Sequence, residues 1–304
     1  MKNLKYSKIA EFASHLNCEV VFNELLSRHT TFKVGGPADV FIYVYDESSL
    51  SSLIKKTKDN FRVFVLGKGS NLIADEKGFR GLIIKLDGNF KKVKLDDNKI
   101  ICGAGATLAS ACVAALNGNL SGLEFAWGIP GTCGGALYMN AGAYGGEISD
   151  IIYESTHMDS EGEFEKFSKE NLDLSYRKSN YTDSDLIITS MLFKLKRSCK
   201  DHIKDIMLNL ITKRKNKQPI EFPSAGSVFK RPIGCYAGTI IRECGLEGYS
   251  IGGAQVSEKH TGFIINKGNA SSSDILKLIE YIKSVVYKKI GIILESEVKI
   301  LKSN

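Results

Sequence analysis

Apolar residues recur at helical spacing in some stretches of this chain and alternate at strand spacing in others, with glycine-rich turns between them. Residues 5–17 gather Tyr6, Ile9, Phe12, Ala13 and Leu16 on one face and predict a short amphipathic helix. Residues 32–45 read as a strand interrupted by Gly35-Gly36-Pro37, in which Val40, Ile42 and Val44 alternate with Phe41, Tyr43 and Tyr45. A helix over 48–58 opened by a serine cap, a strand over 61–66 and another over 82–86 complete a small α/β unit.

After the polar stretch 87–98, Thr107 is placed to cap a helix over 108–116, which Asn117-Gly118 closes. Strands are predicted over 151–158 and 187–195, with Tyr176-Arg177 in the connection. The basic stretches 196–200 and 213–217 flank a further helix and linker, and the residues beyond them form a separate α+β unit. Its clearest elements are a helix over 273–287, with Ile275, Leu278, Ile279, Ile282 and Val286 on one face, and a final strand over 292–301. A length of 304 residues exceeds what one core usually serves, so several subdomains are expected.

Composition narrows the class. A hydrophobic share of 43% with 25% charge is globular and excludes a disordered tail. The net charge of +7 suits an anionic ligand and is too small and scattered to argue for nucleic acid. Seven cysteines lie far apart, without a C-x-x-C, and the five histidines show no zinc spacing. They read as reduced structural thiols of a cytoplasmic protein, and no metal is expected. No apolar run follows the lysines of Met1-Lys2-Asn3-Leu4-Lys5, so a signal peptide is not expected. Between 101 and 146 Glu124 is the one charged residue, yet glycines, asparagines and Pro130 interrupt that stretch too often for a membrane span. It reads instead as a buried zone where backbone meets a ligand.

Two glycine segments carry that expectation. Gly67-Lys68-Gly69-Ser70-Asn71 follows a strand; such a turn either cradles a phosphate with consecutive N–H groups or only satisfies positive φ. It fits neither a G-x-G-x-x-G nor a G-x-x-x-x-G-K-[ST] pattern, which weighs against the Rossmann and P-loop classes. Residues 128–146, from Gly128-Ile129-Pro130-Gly131-Thr132 through Gly135-Ala136 to Gly142-Ala143, are too poor in branched side chains for a packed core. Backbone approaching a large flat ligand explains them, and close packing of loops is the alternative. Together the segments suit a ligand with a pyrophosphate and an apolar ring system, as in a flavin dinucleotide.

Other residues are ambiguous singly. The loop Pro223-Ser224-Ala225-Gly226-Ser227-Val228-Phe229-Lys230-Arg231-Pro232 holds an accessible Ser227, which is a turn former or a proton donor and is not a nucleophile elbow. Glu295 and Glu297 share one face of a predicted strand, either solvated or turned to proton work. Arg177 can grip a carboxylate bidentately or sit on the surface. His260 has no distinguishing context of its own.

Taken in order, however, these segments resemble one family. His29-Thr30-Thr31-Phe32-Lys33-Val34-Gly35-Gly36-Pro37-Ala38-Asp39, the 67–71 and 128–146 loops, Tyr176-Arg177-Lys178-Ser179, the 223–232 loop, Gly252-Gly253-Ala254-Gln255-Val256-Ser257-Glu258-Lys259-His260 and Leu294-Glu295-Ser296-Glu297-Val298 follow the pattern of UDP-N-acetylenolpyruvoylglucosamine reductases of the shorter form, over residues 20–302. The resemblance implies an α+β chain with a two-subdomain FAD-binding fold of the vanillyl-alcohol-oxidase type (1–95 and 96–198) and a C-terminal α+β substrate-binding domain (199–304). It implies a cytoplasmic NADPH-dependent oxidoreductase of peptidoglycan synthesis that holds FAD non-covalently, acts as a monomer, and needs neither nucleic acid nor membrane.

The roles it implies are specific. Gly67, Lys68, Gly69, Ser70, Asn71, Pro130, Gly131, Thr132, Gly135, Ala136, Gly142 and Ala143 would contact FAD. Arg177 and Glu297 would hold the substrate carboxylate, and Ser227 would protonate the carbanion left by hydride transfer. Tyr176, Lys217, Lys230 and His260 would line the sugar-nucleotide site. Cys133 stands where the family commonly has valine, and Ser296 where it has proline, which makes Glu295 a more credible rival to Glu297. Arg231 stands where some members have asparagine. The competing readings are an alcohol or sugar oxidase of the same fold and a non-catalytic nucleotide-sugar module.

Overall fold

The computed structural model describes residues 2–304, so the part of the N-terminal reading that rests on Met1 lies outside it. The chain divides into two compact units: the segment ending at Phe22 with Val40–Lys68 and Gly81–Lys213 forms unit 1, and Asn23–Asp39, Gly69–Arg80 and Arg214–Asn304 form unit 2.

Unit 1 carries two sheets. In the first, strands Glu19–Leu25, Pro37–Val44, Phe79–Leu86 and Val63–Val65 lie side by side, the last two parallel. Phe41 and Ile42 are both fully buried, so the middle strand is covered on both faces. Helix Glu47–Thr57 shares its core through Leu50, Leu53 and Ile54. Its cap is Asp46, not the expected Ser48: the carboxylate accepts from Ser49 N–H at 2.8 Å and from the Ser48 hydroxyl at 2.6 Å. A charged acceptor outcompetes a hydroxyl there because it also meets the positive end of the helix dipole. The hydrogen bonds from Ser48 and Ser49 hold that carboxyl below its ordinary range.

The second sheet runs Phe164–Ser168, Ile152–Met158, Ile187–Lys194, Lys99–Gly103 and Val93–Asp96, antiparallel throughout. Helix Leu108–Asn117 forms as predicted, with Thr107 accepting from Ser110 N–H at 3.0 Å and Gly118 at its end. Five of the seven cysteines are buried and all seven are free thiols. Burial pushes the Cys112 thiol up to about 12, which leaves it protonated and inert. Cys133 is fully buried and packs as valine would.

In unit 2, strands Ser224–Ser227, Phe263–Asn266, Ala254–Val256 and Ser250–Ile251 form an antiparallel sheet. Helix Ser272–Ile290 opens with a Ser271/Asp274 capping box and ends on Gly291 at φ +77°. Ile275, Leu278, Ile279, Ile282 and Val286 share one core with Phe32, Val34 and Ile73. The final strand is shorter than predicted: Lys299–Leu301 pairs with Leu72–Ala74, while 292–298 is irregular. Its backbone bonds go to the 228–230 turn instead, Glu297 N–H to Val228 O at 2.7 Å and Lys230 N–H to Glu295 O at 2.9 Å. The basic stretch 213–217, expected to flank the helix, is instead the last turn of helix Lys200–Lys217, where its cations meet the negative end of the dipole.

Candidate active site

In unit 1 the two glycine segments meet at Thr132. A Cβ on Gly67 would stand 2.7 Å from Thr132 Oγ1 and one on Gly135 would stand 3.2 Å from it. That oxygen already accepts from Gly135 N–H at 3.2 Å, capping the short helix Cys133–Tyr138. The segment is pinned from beneath: Cys133 and Gly134 donate to Ala106 O and Ala104 O at 2.8 and 2.9 Å, and Leu108 donates to Gly131 O at 3.0 Å. The glycines therefore divide into two kinds. Gly134 and Gly146 are small because Ala104 and Phe125 stand within 2.7 and 2.8 Å of a would-be Cβ, which is loop packing. Gly142 belongs with them, since Glu147 Cβ stands 2.8 Å from its would-be Cβ, whereas Gly67, Gly131, Gly135 and Ala143 are exposed or half-exposed and bare of side chains.

A side-chain-poor patch of this sort, edged by Lys68 and Pro130, fits a planar cofactor that carries a diphosphate. A Cβ at Gly67 would occupy the gap over Thr132, so the residues present suit FAD.

Arg177 sits at the tip of a turn closed by the reciprocal bonds Ser175 N–H to Lys178 O and Lys178 N–H to Ser175 O, both 3.1 Å. Its φ is +59°, a conformation that arginine adopts only under constraint. The guanidinium lies over the Tyr176 ring at 5.0 Å and donates to Gly142 O at 3.3 Å. The turn is anchored to the glycine segment by Ser179 and Thr182, whose hydroxyls donate to Tyr138 O at 2.7 and 2.9 Å.

Asn140, which sequence reasoning missed, is fully buried at φ +43°. It donates to Ser175 O and Glu147 Oε1 at 3.1 Å each and accepts from Ser149 N–H at 2.9 Å. An asparagine amid small residues was the available signal.

Unit 2 assembles Ser227, His260 and Glu297. Gly226 at φ +76°, with nothing near a would-be Cβ, lies in the register shift between Ser224 and Ser227, after which Ser227 pairs with Phe263. The Ser227 hydroxyl donates to Phe229 O at 3.2 Å. Glu297 is half-buried, and its N–H is bound to Val228, the neighbour of Ser227.

Glu295 is exposed and pairs with Lys230 at 3.1 Å. Asn71, expected at the cofactor, directs its amide to Glu297 O at 3.2 Å. Gly69 takes φ +63° against His29 O, where any Cβ would clash, and Ser70 follows it half-buried. Lys217 is exposed at its helix end, and the buried Arg214 one turn earlier, also missed, donates to Gln218 at 3.2 Å.

Arg177 thus belongs to unit 1 and Ser227, His260 and Glu297 to unit 2. A groove in unit 1 lined by Tyr153, Lys194 and Arg197 and one in unit 2 lined by Glu280, Tyr287 and Leu294 contain none of the predicted site residues. Among the described residues no cluster of His, Cys, Asp or Glu could hold a metal, and no helix is long and apolar enough to cross a membrane.

Residues 218–301 match the C-terminal domain of UDP-N-acetylenolpyruvoylglucosamine reductase, and residues 38–168 match an FAD binding domain. The UDP-N-acetylenolpyruvoylglucosamine reductase of Agathobacter rectalis is 45% identical over 292 residues, covering 92% of this chain and 93% of that protein. That of Caldanaerobacter subterraneus is 46% identical over 284 residues, covering 93% and 94%. The crystal structure of the Thermus caldophilus reductase aligns with a TM-score of 0.81 at 35% identity, covering 94% of this chain and 99% of its own. The fold class is accordingly α+β, an FAD-binding portion of the vanillyl-alcohol-oxidase type followed by a C-terminal α+β domain. With relatives this similar along nearly its whole length, the chain belongs to the UDP-N-acetylenolpyruvoylglucosamine reductases.

Proposed function

We propose that Arg177, Ser227 and Glu297 carry out, on this chain, the reaction of its family. The chain is an FAD-containing, NADPH-dependent oxidoreductase that reduces the enolpyruvyl ether of UDP-N-acetylglucosamine to UDP-N-acetylmuramate, a step in making bacterial peptidoglycan and hence in cell shape and division. FAD, when bound, takes a hydride from NADPH and supplies it to the terminal vinyl carbon.

The residues around Gly67, Thr132, Gly135 and Gly142 would hold the cofactor, and the Lys68 cation would suit its diphosphate. Charge then builds on the neighbouring carbon and its carboxylate. Arg177, preset by its turn, grips that carboxylate, with Glu297 as a hydrogen-bonding partner. Ser227 supplies the proton: its O–H bond breaks, a C–H bond forms, and the alkoxide left behind regains a proton from water. A hydroxyl is a weak acid, so the driving force lies in the basicity of the carbanion. Tyr176, Lys217, Lys230 and His260 line the sugar-nucleotide site.

The assignment takes the two sheets of unit 1 as FAD-binding subdomains, roughly 1–95 and 96–198, and 199–304 as the substrate domain. It has the chain acting as a cytoplasmic monomer without nucleic-acid or membrane partners, which the buried free thiols suit.

The observation that carries this reading is the Ser227 loop, where a left-handed glycine bulges the strand just before Ser227 and the next residue, Val228, accepts from Glu297 N–H. Ser227→Ala tests it. Flavin reduction by NADPH should be unchanged, while reoxidation of the reduced enzyme by substrate should slow by about 10²–10⁴-fold. Equal losses in both half-reactions would refute the proton-donor role.

A further inference from the structure

Gly262 has no side chain, and the imidazole of His260 would have to shift to admit one. A Cβ built on it would stand 3.0 Å from His260 Cε1, 3.2 Å from His260 Nδ1 and 3.4 Å from Ser227 Oγ. Its φ lies outside the left-handed region, so the backbone itself would accept alanine. The peptide also holds both neighbours by hydrogen bonds. Gly262 N–H donates to His260 Nδ1 at 3.2 Å, and Gly262 O accepts from Val228 N–H, next to Ser227, at 2.9 Å. Ser227 itself lies opposite Phe263 in the ladder.

The imidazole is fixed on every side. It meets the Phe263 ring edge-on at 4.8 Å, and the main chain that carries it is held too, the His260 backbone N–H donating to Ser257 Oγ at 3.2 Å. The His260 backbone carbonyl accepts from Phe263 N–H at 2.8 Å. On the far side a Cβ on Gly238 would meet Gly262 N at 3.1 Å and His260 Cε1 at 3.6 Å, so the ring lies along a path between two glycines.

A donor aimed at Nδ1 requires a lone pair there, so the ring is neutral with its proton on Nε2. Burial, helped by the nearby Arg242 charge, holds the imidazolium form down from the ordinary value. Arg242 is itself paired with Glu247 and donates to Glu258 O.

We propose that His260 is a positioning residue for the proton donor: through Nδ1 it holds Gly262, whose carbonyl accepts from Val228 N–H and so fixes the backbone that presents the Ser227 hydroxyl. This rests on the assignment of Ser227 above. The long bond to Phe229 O is easily given up when substrate arrives, and by itself it fixes the Ser227 rotamer poorly. The Gly262 carbonyl holds the serine's backbone instead. Displacing such a group by a fraction of an ångström slows the step it performs without changing what the site binds.

The experiment uses the flavin-loaded full chain, reduced anaerobically with NADPH and then mixed with substrate, the return of oxidised-flavin absorbance giving the rate and its substrate dependence. His260→Ala and Gly262→Ala should each slow the limiting oxidative rate by about tenfold with flavin reduction little changed, and Gly262→Ala should leave the substrate concentration for half-maximal rate little changed. The solvent deuterium isotope effect on that rate should rise as proton transfer becomes limiting. His260→Asn, whose Oδ1 can accept from Gly262 N–H in place of Nδ1, should recover most of the rate. The double variant His260→Ala/Gly262→Ala should lose less than the product of the single losses, because removing the ring removes the clash.

A raised half-maximal concentration at unchanged limiting rate would make His260 a substrate contact and overturn the proposal. Failure of asparagine to outperform alanine would do so too, and that comparison stands even where Gly262→Ala does not fold. Ser227→Ala run alongside separates the two ideas. A normal oxidative step in that variant sinks the donor assignment, whereas a crippled one beside a normal His260→Ala sinks only this inference.

Discussion

The glycine patch of unit 1 and the serine loop of unit 2 solve opposite problems with the same residue. Around Thr132 glycine clears space: Gly67 and Gly135 lack the Cβ that would cover the threonine hydroxyl, and what remains exposed is backbone. Around Ser227 glycine shapes the chain so that side chains can be presented. Gly226 supplies a left-handed turn, and Gly262 lets an imidazole and a hydroxyl approach one peptide. A ligand recognised by shape needs the first arrangement, and a proton delivered to one carbon needs the second. Arg177 combines both, a side chain held in a backbone conformation usually left to glycine.

Substitutions can break this contrast. Gly67→Val fills the space over Thr132 and should weaken FAD binding by about a hundredfold, near 2.7 kcal/mol, with the secondary structure intact. Flavin absorbance per protein and a circular-dichroism spectrum report it; full flavin content would show that the patch is not the cofactor surface.

Next in size, Asn140→Ala leaves the Ser175 carbonyl and the Ser149 amide without their buried partner and should cost about 2 kcal/mol of stability. Denaturant melts measure that. The Arg177 turn should loosen as well, raising the substrate KM.

The two glutamates sharpen the unit 2 side of the comparison. Glu297→Gln should lower turnover about tenfold more than Glu295→Gln. The second carboxylate is exposed and ion-paired to Lys230, an arrangement that contributes little. Greater damage from Glu295→Gln would reverse the assignment.

The smallest effect concerns a buried cluster remote from both loops. His157 Nδ1 lies 3.2 Å from the Tyr181 hydroxyl, which in turn is 2.7 Å from Ser155 Oγ, and the ring packs against Phe167. Burial lowers its pKa from 6.5 against the opposing pull of Glu165. The unfolded chain therefore takes up the proton first, and stability falls as pH drops below 6.5 toward the folded-state value. Thermal melts between neutral pH and pH 5 should show this slope, and His157→Phe should reduce it.

How much was legible follows from which rules are local. The cap at Thr107, the face of helix Ser272–Ile290 and the buried thiols follow from spacing and composition, because helix periodicity and capping act within a few residues. The Asp46 cap was misread because two acceptors competed and the charged one prevailed. The strand over 292–298 was misread because alternation reports which side is buried, not where backbone hydrogen bonds go. Leu294 and Val298 are buried as expected, yet the chain bonds to the 228–230 turn.

For the site, the order of motifs carried the family and its chemistry, since composition alone left Ser227, Arg177 and His260 open. The support behind those residues was invisible. Asn140 under the Arg177 turn, Asn71 on the Glu297 backbone and Gly262 between Ser227 and His260 act across long stretches of sequence or through a missing atom.

By itself the sequence determined most of the elements and, through the order of its motifs, the family and the class of its ligand, for these depend on residue type and near-neighbour spacing. Only the tertiary structure decided which glycines clear a surface and which pack a loop, which glutamate sits beside the serine, and which tautomer His260 holds. Those outcomes depend on distances between segments that the chain brings together only on folding.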